Sequence, residues 1–153
     1  MSKLVYLIQV WGGCHNYLIH AFHLIQNRAA RLETQLNRYT SIRKLLHQCG
    51  WLSVNQLVRY HTLLLIYQIK RERKPLYFSH KLNIEFSRET RLAAGGGIRR
   101  VERNRSRIAQ SGFIVRGSQY WNALLLHIRQ RESKSTFKVK INEWIRSNVP
   151  IHS

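Results

Sequence analysis

Arginine is the residue of this sequence best suited to chemistry. From Arg88 to Arg107 it recurs at Arg88, Arg91, Arg99, Arg100, Arg103, Arg105 and Arg107, with Arg116 following, against only Glu89 and Glu102. A guanidinium is planar, permanently charged and able to hold a phosphate through two parallel hydrogen bonds. Gly95, Gly96 and Gly97 sit in the middle of the stretch, where glycine neither packs nor holds regular structure. Two readings follow, a phosphate-contacting loop or a solvated linker, and the composition of the whole chain favours the first.

That composition is strongly one-sided. Lys and Arg number 26 and acidic residues 7, a formal net charge of +19 over 153 residues. Charge of this size calls for a polyanionic partner or a complementary acidic surface. Every acidic residue is a glutamate (Glu33, Glu72, Glu85, Glu89, Glu102, Glu132 and Glu143), and the sequence holds no aspartate. Metal-dependent phosphoryl or nucleotidyl transfer gathers carboxylates to hold its ions, whereas these are scattered among Arg and Lys. No catalytic residues, cofactor or small-molecule substrate is expected.

Cys14 and Cys49 are the only cysteines, allowing one disulfide at most and no zinc ribbon. His20 and His23 lie one turn apart near Cys14 and His15, a spacing too irregular for a metal site. The Gly95–Gly97 run lacks the Lys and Ser or Thr of a phosphate-cradling loop. The apolar run Leu4 to Val10 is too short to span a membrane and makes a weak leader. The expectation is a protein of the nucleus or cytoplasm, with no membrane partner.

The arginine stretch must be carried by helices, because the flanking periodicity is helical. Asn16 is placed to cap a helix in which Leu18, Phe22, Ile25, Ala29, Leu32 and Leu36 recur at spacings of three and four. His20, His23, Asn27 and Arg31 form a polar line on another face, expected to meet solvent or nucleic acid. Ser41 opens a short helix with Ile42, Leu45 and Leu46 inward, stopped by Gly50. Ser53 and Gln56 have the spacing of a capping box and Leu52 with Leu57 that of a hydrophobic staple, predicting a helix from Val54 to about Arg73. Its middle, Leu63 to Tyr67, is apolar all round, which makes it the hub of the core.

Past the arginines, Phe113 to Val115 reads as a short strand. Ser118 is placed to cap a helix carrying Trp121, Leu124, Leu125 and Ile128. Trp121 shares that spacing and is assigned to the core. A final helix sets Phe137, Ile141, Trp144 and Ile145 on one side, with Lys138 and Lys140 off it. The fold class is mostly α: a small helical bundle with an Arg/Gly-rich connecting loop and a C-terminal helical pair. Its parts are a helical unit over 1–78, a basic connector over 79–117 and the pair over 118–153, together one compact domain.

Several short motifs fall in a suggestive order: Tyr6 with Val10-Trp11-Gly12, Ile25-Gln26-Asn27-Arg28-Ala29-Ala30-Arg31, Gly50-Trp51-Leu52-Ser53, Thr90-Arg91, Phe113, Trp121-Asn122-Ala123-Leu124, Phe137-Lys138 and Trp144-Ile145. In order and spacing they resemble the C-terminal region of reverse transcriptases of non-LTR (LINE-type, jockey-like) retrotransposons, downstream of the catalytic palm. The resemblance covers about residues 6 to 145. It implies a thumb-like and post-thumb segment that binds RNA or an RNA/DNA hybrid through phosphate contacts. It also implies a second partner, the catalytic part of a retroelement polymerase, whose aspartate signature has no counterpart here. Arg28 and Arg31 join the arginines above as expected nucleic-acid contacts. Two positions depart from the pattern: Leu7 stands where the family often has Gly, and Leu125 where it usually has Pro.

The charge also suits a basic helical module docking on an acidic partner or on a parent polymerase through the apolar run Leu4 to Trp11. A third reading is a mobile-element remnant without selected function.

Overall fold

The computed structural model describes residues 8–14, 16–73, 76–77, 82, 97–98, 112–131 and 133–151. They form α1 (Ile8–Trp11), α2 (Asn16–Thr34), α3 (Ile42–Gln48), α4 (Val54–Glu72), α5 (Phe113–Asn122), α6 (Leu126–Arg129) and α7 (Lys134–Asn148). No strand occurs among the described residues, and the chain is a small, mostly α-helical bundle. No described helix is long and apolar enough to cross a membrane.

α4 is the axis of the bundle, with α1, α2, α5 and α7 packed around it. Its start follows the sequence closely. The Ser53 backbone N–H donates to Gln56 Oε1 at 3.0 Å and the Gln56 N–H to Ser53 Oγ at 3.4 Å, a complete capping box. Gln56 has a second task, because its Nε2 donates to the Val149 carbonyl at 2.9 Å and ties the start of α4 to the end of α7. Leu63, Ile66 and Ile69 are fully enclosed, and Tyr67 stacks on Phe137 with ring centroids 4.2 Å apart. Trp121, Phe137, Ile141 and Ile145 complete this core, so residues from both sides of the arginine stretch share one apolar interior. Trp121 lies in the core as its spacing predicts.

α3 ends as a Schellman turn. Gly50 takes φ +68, its N–H bonds the His47 carbonyl, and the Trp51 N–H bonds the Leu46 carbonyl at 2.9 Å. Leu45 and Leu46 close over Ala30 of α2 in a second, smaller cluster. Gly12, just after α1, is required by proximity. A Cβ there would stand 2.6 Å from the Ile8 carbonyl oxygen and 2.7 Å from a methyl of Val58, so α1 meets α4 only where the side chain is absent.

Three sequence expectations are corrected. Phe113 to Val115 is the first turn of α5, not a strand, and Ser118 lies inside that helix, its Oγ donating to the Ile114 carbonyl at 2.6 Å rather than capping. The run Trp121 to Ile128 is not one helix. α5 stops at Asn122, and Leu125, exposed, takes φ −65 and ψ 145 as the N-cap of α6.

The third correction concerns α2, which sits the other way round from its apolar periodicity. His23, Gln26 and Asn27 are buried with Ala30, and Arg31 is half-buried, while Leu18, Ile25 and Leu32 face outward, Leu32 at 81 % exposure. Ala30 supplies the reason. It is the small residue that lets α2 approach Leu45 and Leu46, and the turn of the helix that brings it inward brings its polar neighbours too. Gln26 makes this tolerable by donating its Nε2 to the Leu52 carbonyl at 2.8 Å.

Candidate nucleic-acid interface

Of the arginines singled out in the sequence, Arg88, Arg91, Arg99, Arg100, Arg103, Arg105 and Arg107 lie outside the described residues. Their mounting is visible at one point. Ile98, fully buried, inserts into the main core, and Asn122 clasps its backbone from both sides. Asn122 Oδ1 accepts from the Ile98 N–H at 2.9 Å, and its Nδ2 donates to the Ile98 carbonyl at 2.7 Å. A single amide thereby performs the pairing that a strand neighbour would, at the residue directly preceding Arg99 and Arg100.

The remaining three take different places. Arg28 is exposed on α2 and open to a phosphate. Arg31 is half-buried, with its Nε enclosed and making no hydrogen bond. Arg116 is 8 % exposed in the first turns of α5, and burial pulls the pKa of its guanidinium below the ordinary arginine value. A side chain so enclosed is part of the scaffold rather than of the contact surface. The polar line of α2 is likewise mostly internal, since His23 and Asn27 are buried and only His20 of its three non-arginine members is exposed.

Other cations, not singled out in the sequence, gather on two surfaces. One lies along α4, where the Arg59 guanidinium sits 4.3 Å above the Tyr120 ring and Lys70 Nζ 5.3 Å from the Trp121 ring centroid. Burial, with the Arg129 guanidinium nearby, lowers the Lys70 pKa to about 8, which still leaves it charged at neutral pH. The other is the crest formed by the α3–α4 turn and α7. A cavity of about 720 Å³ there is lined by Arg43, His47, Trp51 and Arg146. A second, of about 490 Å³, shares Trp51 and Arg146 and adds Ile25, Gln26, Leu57 and Tyr60. No carboxylate lines either.

Arg146 is held in place at this junction. Its Nε donates to Asn142 Oδ1 at 3.0 Å and its Nη2 to the Gly50 carbonyl at 2.8 Å. The guanidinium is thus fixed in place, and Nη1 is left to donate to an anion. The one sequence signal for this surface was Trp51, caught between the stop of α3 at Gly50 and the capping residue Ser53. A side chain there belongs to no helix stripe, so helical periodicity cannot assign it to a core.

Cys14 and Cys49 are not joined in a disulfide. Among the described residues no group of three or more His, Cys, Asp or Glu side chains is arranged to hold a metal ion. Ile8 is fully buried and Trp11 half-buried against Phe22, ring centroids 4.6 Å apart, so the described part of the N-terminal apolar run is packed rather than presented for docking. Compared with family profiles, curated proteins and solved structures, the chain matches none.

Proposed function

We propose that this protein binds RNA or an RNA/DNA hybrid through phosphate contacts and performs no chemistry of its own, in the manner of the post-palm part of a non-LTR retrotransposon reverse transcriptase. The observation that carries the reading is the net charge of +19, with Arg43 and Arg146 exposed at a cavity that no carboxylate lines and Arg28 exposed on α2. The ordered motifs of the sequence support it independently, and the catalytic part of such a polymerase is the partner that would supply the missing aspartates.

The test is the salt dependence of binding. With about five arginines on phosphates, log affinity against log salt should slope near −3.5 on single-stranded RNA and about −4.5 on a duplex. Each of Arg99, Arg100, Arg103 and Arg105 that meets a phosphate should contribute about 0.7 to the single-strand slope, so changing all four to alanine should make it shallower, and an unchanged slope places the contacts elsewhere. Binding that ignores salt, or no binding to RNA at all, would refute the proposal.

One observation favours a second reading, a helical module that docks on an acidic protein. The outer face of α2 presents Leu18, Leu24, Ile25 and Leu32 beside exposed Arg28, an apolar stripe with a cationic flank. Under this reading Leu18→Lys with Leu32→Lys abolishes capture of an acidic amphipathic helix and leaves RNA affinity no weaker. A doubly substituted chain that loses RNA binding instead assigns the face to nucleic acid.

A further inference from the structure

The two cavities around Trp51 differ in character. The larger is cationic, with Arg43, His47 and the fixed guanidinium of Arg146, and the smaller is walled by Ile25, Leu57, Tyr60 and Trp51. Trp51 keeps 39 % of its surface exposed, uncommon for a tryptophan beside a core. At the wall of the smaller cavity stands Gln26, only 8 % exposed. Its amide orientation is set, since Nε2 donates to the Leu52 carbonyl at 2.8 Å. Oε1 is therefore the other atom, and it is buried with no hydrogen-bond partner. A buried acceptor left unsatisfied is costly, so it marks a position where a donor from outside belongs.

Apolar and aromatic walls, a single buried acceptor and an adjoining fixed cation together describe a particular guest. It has a flat apolar face, an N–H at its edge and an anion one cavity away. We infer that the paired cavities take one unstacked nucleotide of a single strand. Its base lies in the smaller cavity against Trp51 and Tyr60 with an N–H donated to Gln26 Oε1, and its phosphate meets Arg43, His47 and Arg146. A cavity of about 490 Å³ lies within the range of roughly 300–1,000 Å³ that holds small ligands. Aromatic stacking tolerates any base, so the site adds a preference for single strands over duplexes, whose bases are unavailable. The inference rests on the nucleic-acid reading above and gives it a base-contacting site.

The test uses the full chain and three probes: a uridine 12-mer, the same oligomer methylated at every uracil N3, and an RNA duplex. The unmodified protein should bind the methylated oligomer about 5- to 150-fold more weakly, because the donor to Gln26 is gone. Trp51→Ala should weaken binding of the plain oligomer by a similar factor of about 5 to 150, with its salt slope and the duplex affinity unchanged. Gln26→Leu should bind the two oligomers equally. If that variant fails to fold, the methylated probe on the unmodified chain carries the test alone. Equal affinity of the unmodified chain for both oligomers, or equal losses on single strand and duplex in Trp51→Ala, overturns the nucleotide site and leaves the charge-based reading standing. Failure to bind any of the three probes overturns both.

Discussion

Asn122 shows how much one side chain can position. Its amide satisfies both the N–H and the carbonyl of buried Ile98, groups that would otherwise need a neighbouring strand. Truncating it leaves two enclosed backbone groups unpaired, at about 1–3 kcal/mol each. Asn122→Ala should therefore lower unfolding stability by about 2–6 kcal/mol in a urea titration, and Asn122→Asp should also destabilise, because it sets a carboxylate oxygen against the Ile98 carbonyl in place of the donor. Such a role is invisible to spacing rules, because Asn122 reads only as a polar residue after Trp121. Tryptophan itself divided sharply. Trp121 was assignable to the core from its helical companions, whereas exposed Trp51 had no periodic partners and its cavity became evident only in three dimensions. The arginines were legible as charge, but sequence could not separate exposed Arg28 from enclosed Arg116, since the difference lies in which neighbours close over them.

At the scale of elements, boundaries written in local chemistry were readable and orientations were not. The capping box at Ser53 and Gln56 and the glycine stop at Gly50 depend on residues within a few positions, and both stand where the sequence puts them. α2 failed the same reading because it carries apolar residues on more than one face, and close approach at Ala30 decided which face turned inward. The segment from Phe113 to Ile128 failed because β-branched Ile114 and Val115 read as strand, while packing of α5 on α4 prevails. Between α5 and α6, Leu125 holds φ −65, the angle a proline ring imposes, at the place where the retroelement pattern carries Pro. Leu125 is exposed, so little packing is lost on replacing it. Leu125→Pro should raise stability by about 0.4–1 kcal/mol through a less free unfolded chain, visible as a higher urea midpoint with an unchanged slope.

The molecule as a whole holds an excess of charge that it does not neutralise internally. Lys140 pairs with Glu143 at 2.9 Å on the exposed face of α7, a contact of little energetic weight. Self-repulsion at +19 opposes compaction, and salt screens it over a Debye length of about 10 Å at 0.1 M. The free protein should accordingly melt at a higher temperature in about 0.2 M than in about 0.01 M salt, where the screening lengths are about 7 Å and about 30 Å, and a polyanion such as heparin should raise the melting temperature further at low salt. A melting temperature that falls with added salt would show that ion pairs outweigh repulsion. The bond from Gln56 to the Val149 carbonyl spans 93 residues of sequence and has a consequence for the order of assembly. A chain made from its N-terminus can cap α4 once the first turn of that helix has left the ribosome, but the amide that completes the cap finds its second partner only after Val149 has followed, 93 residues later. The axis of the bundle is thus begun early and locked late, and a product cut short before Val149 would leave the growing end of its core open to whatever apolar surface it met.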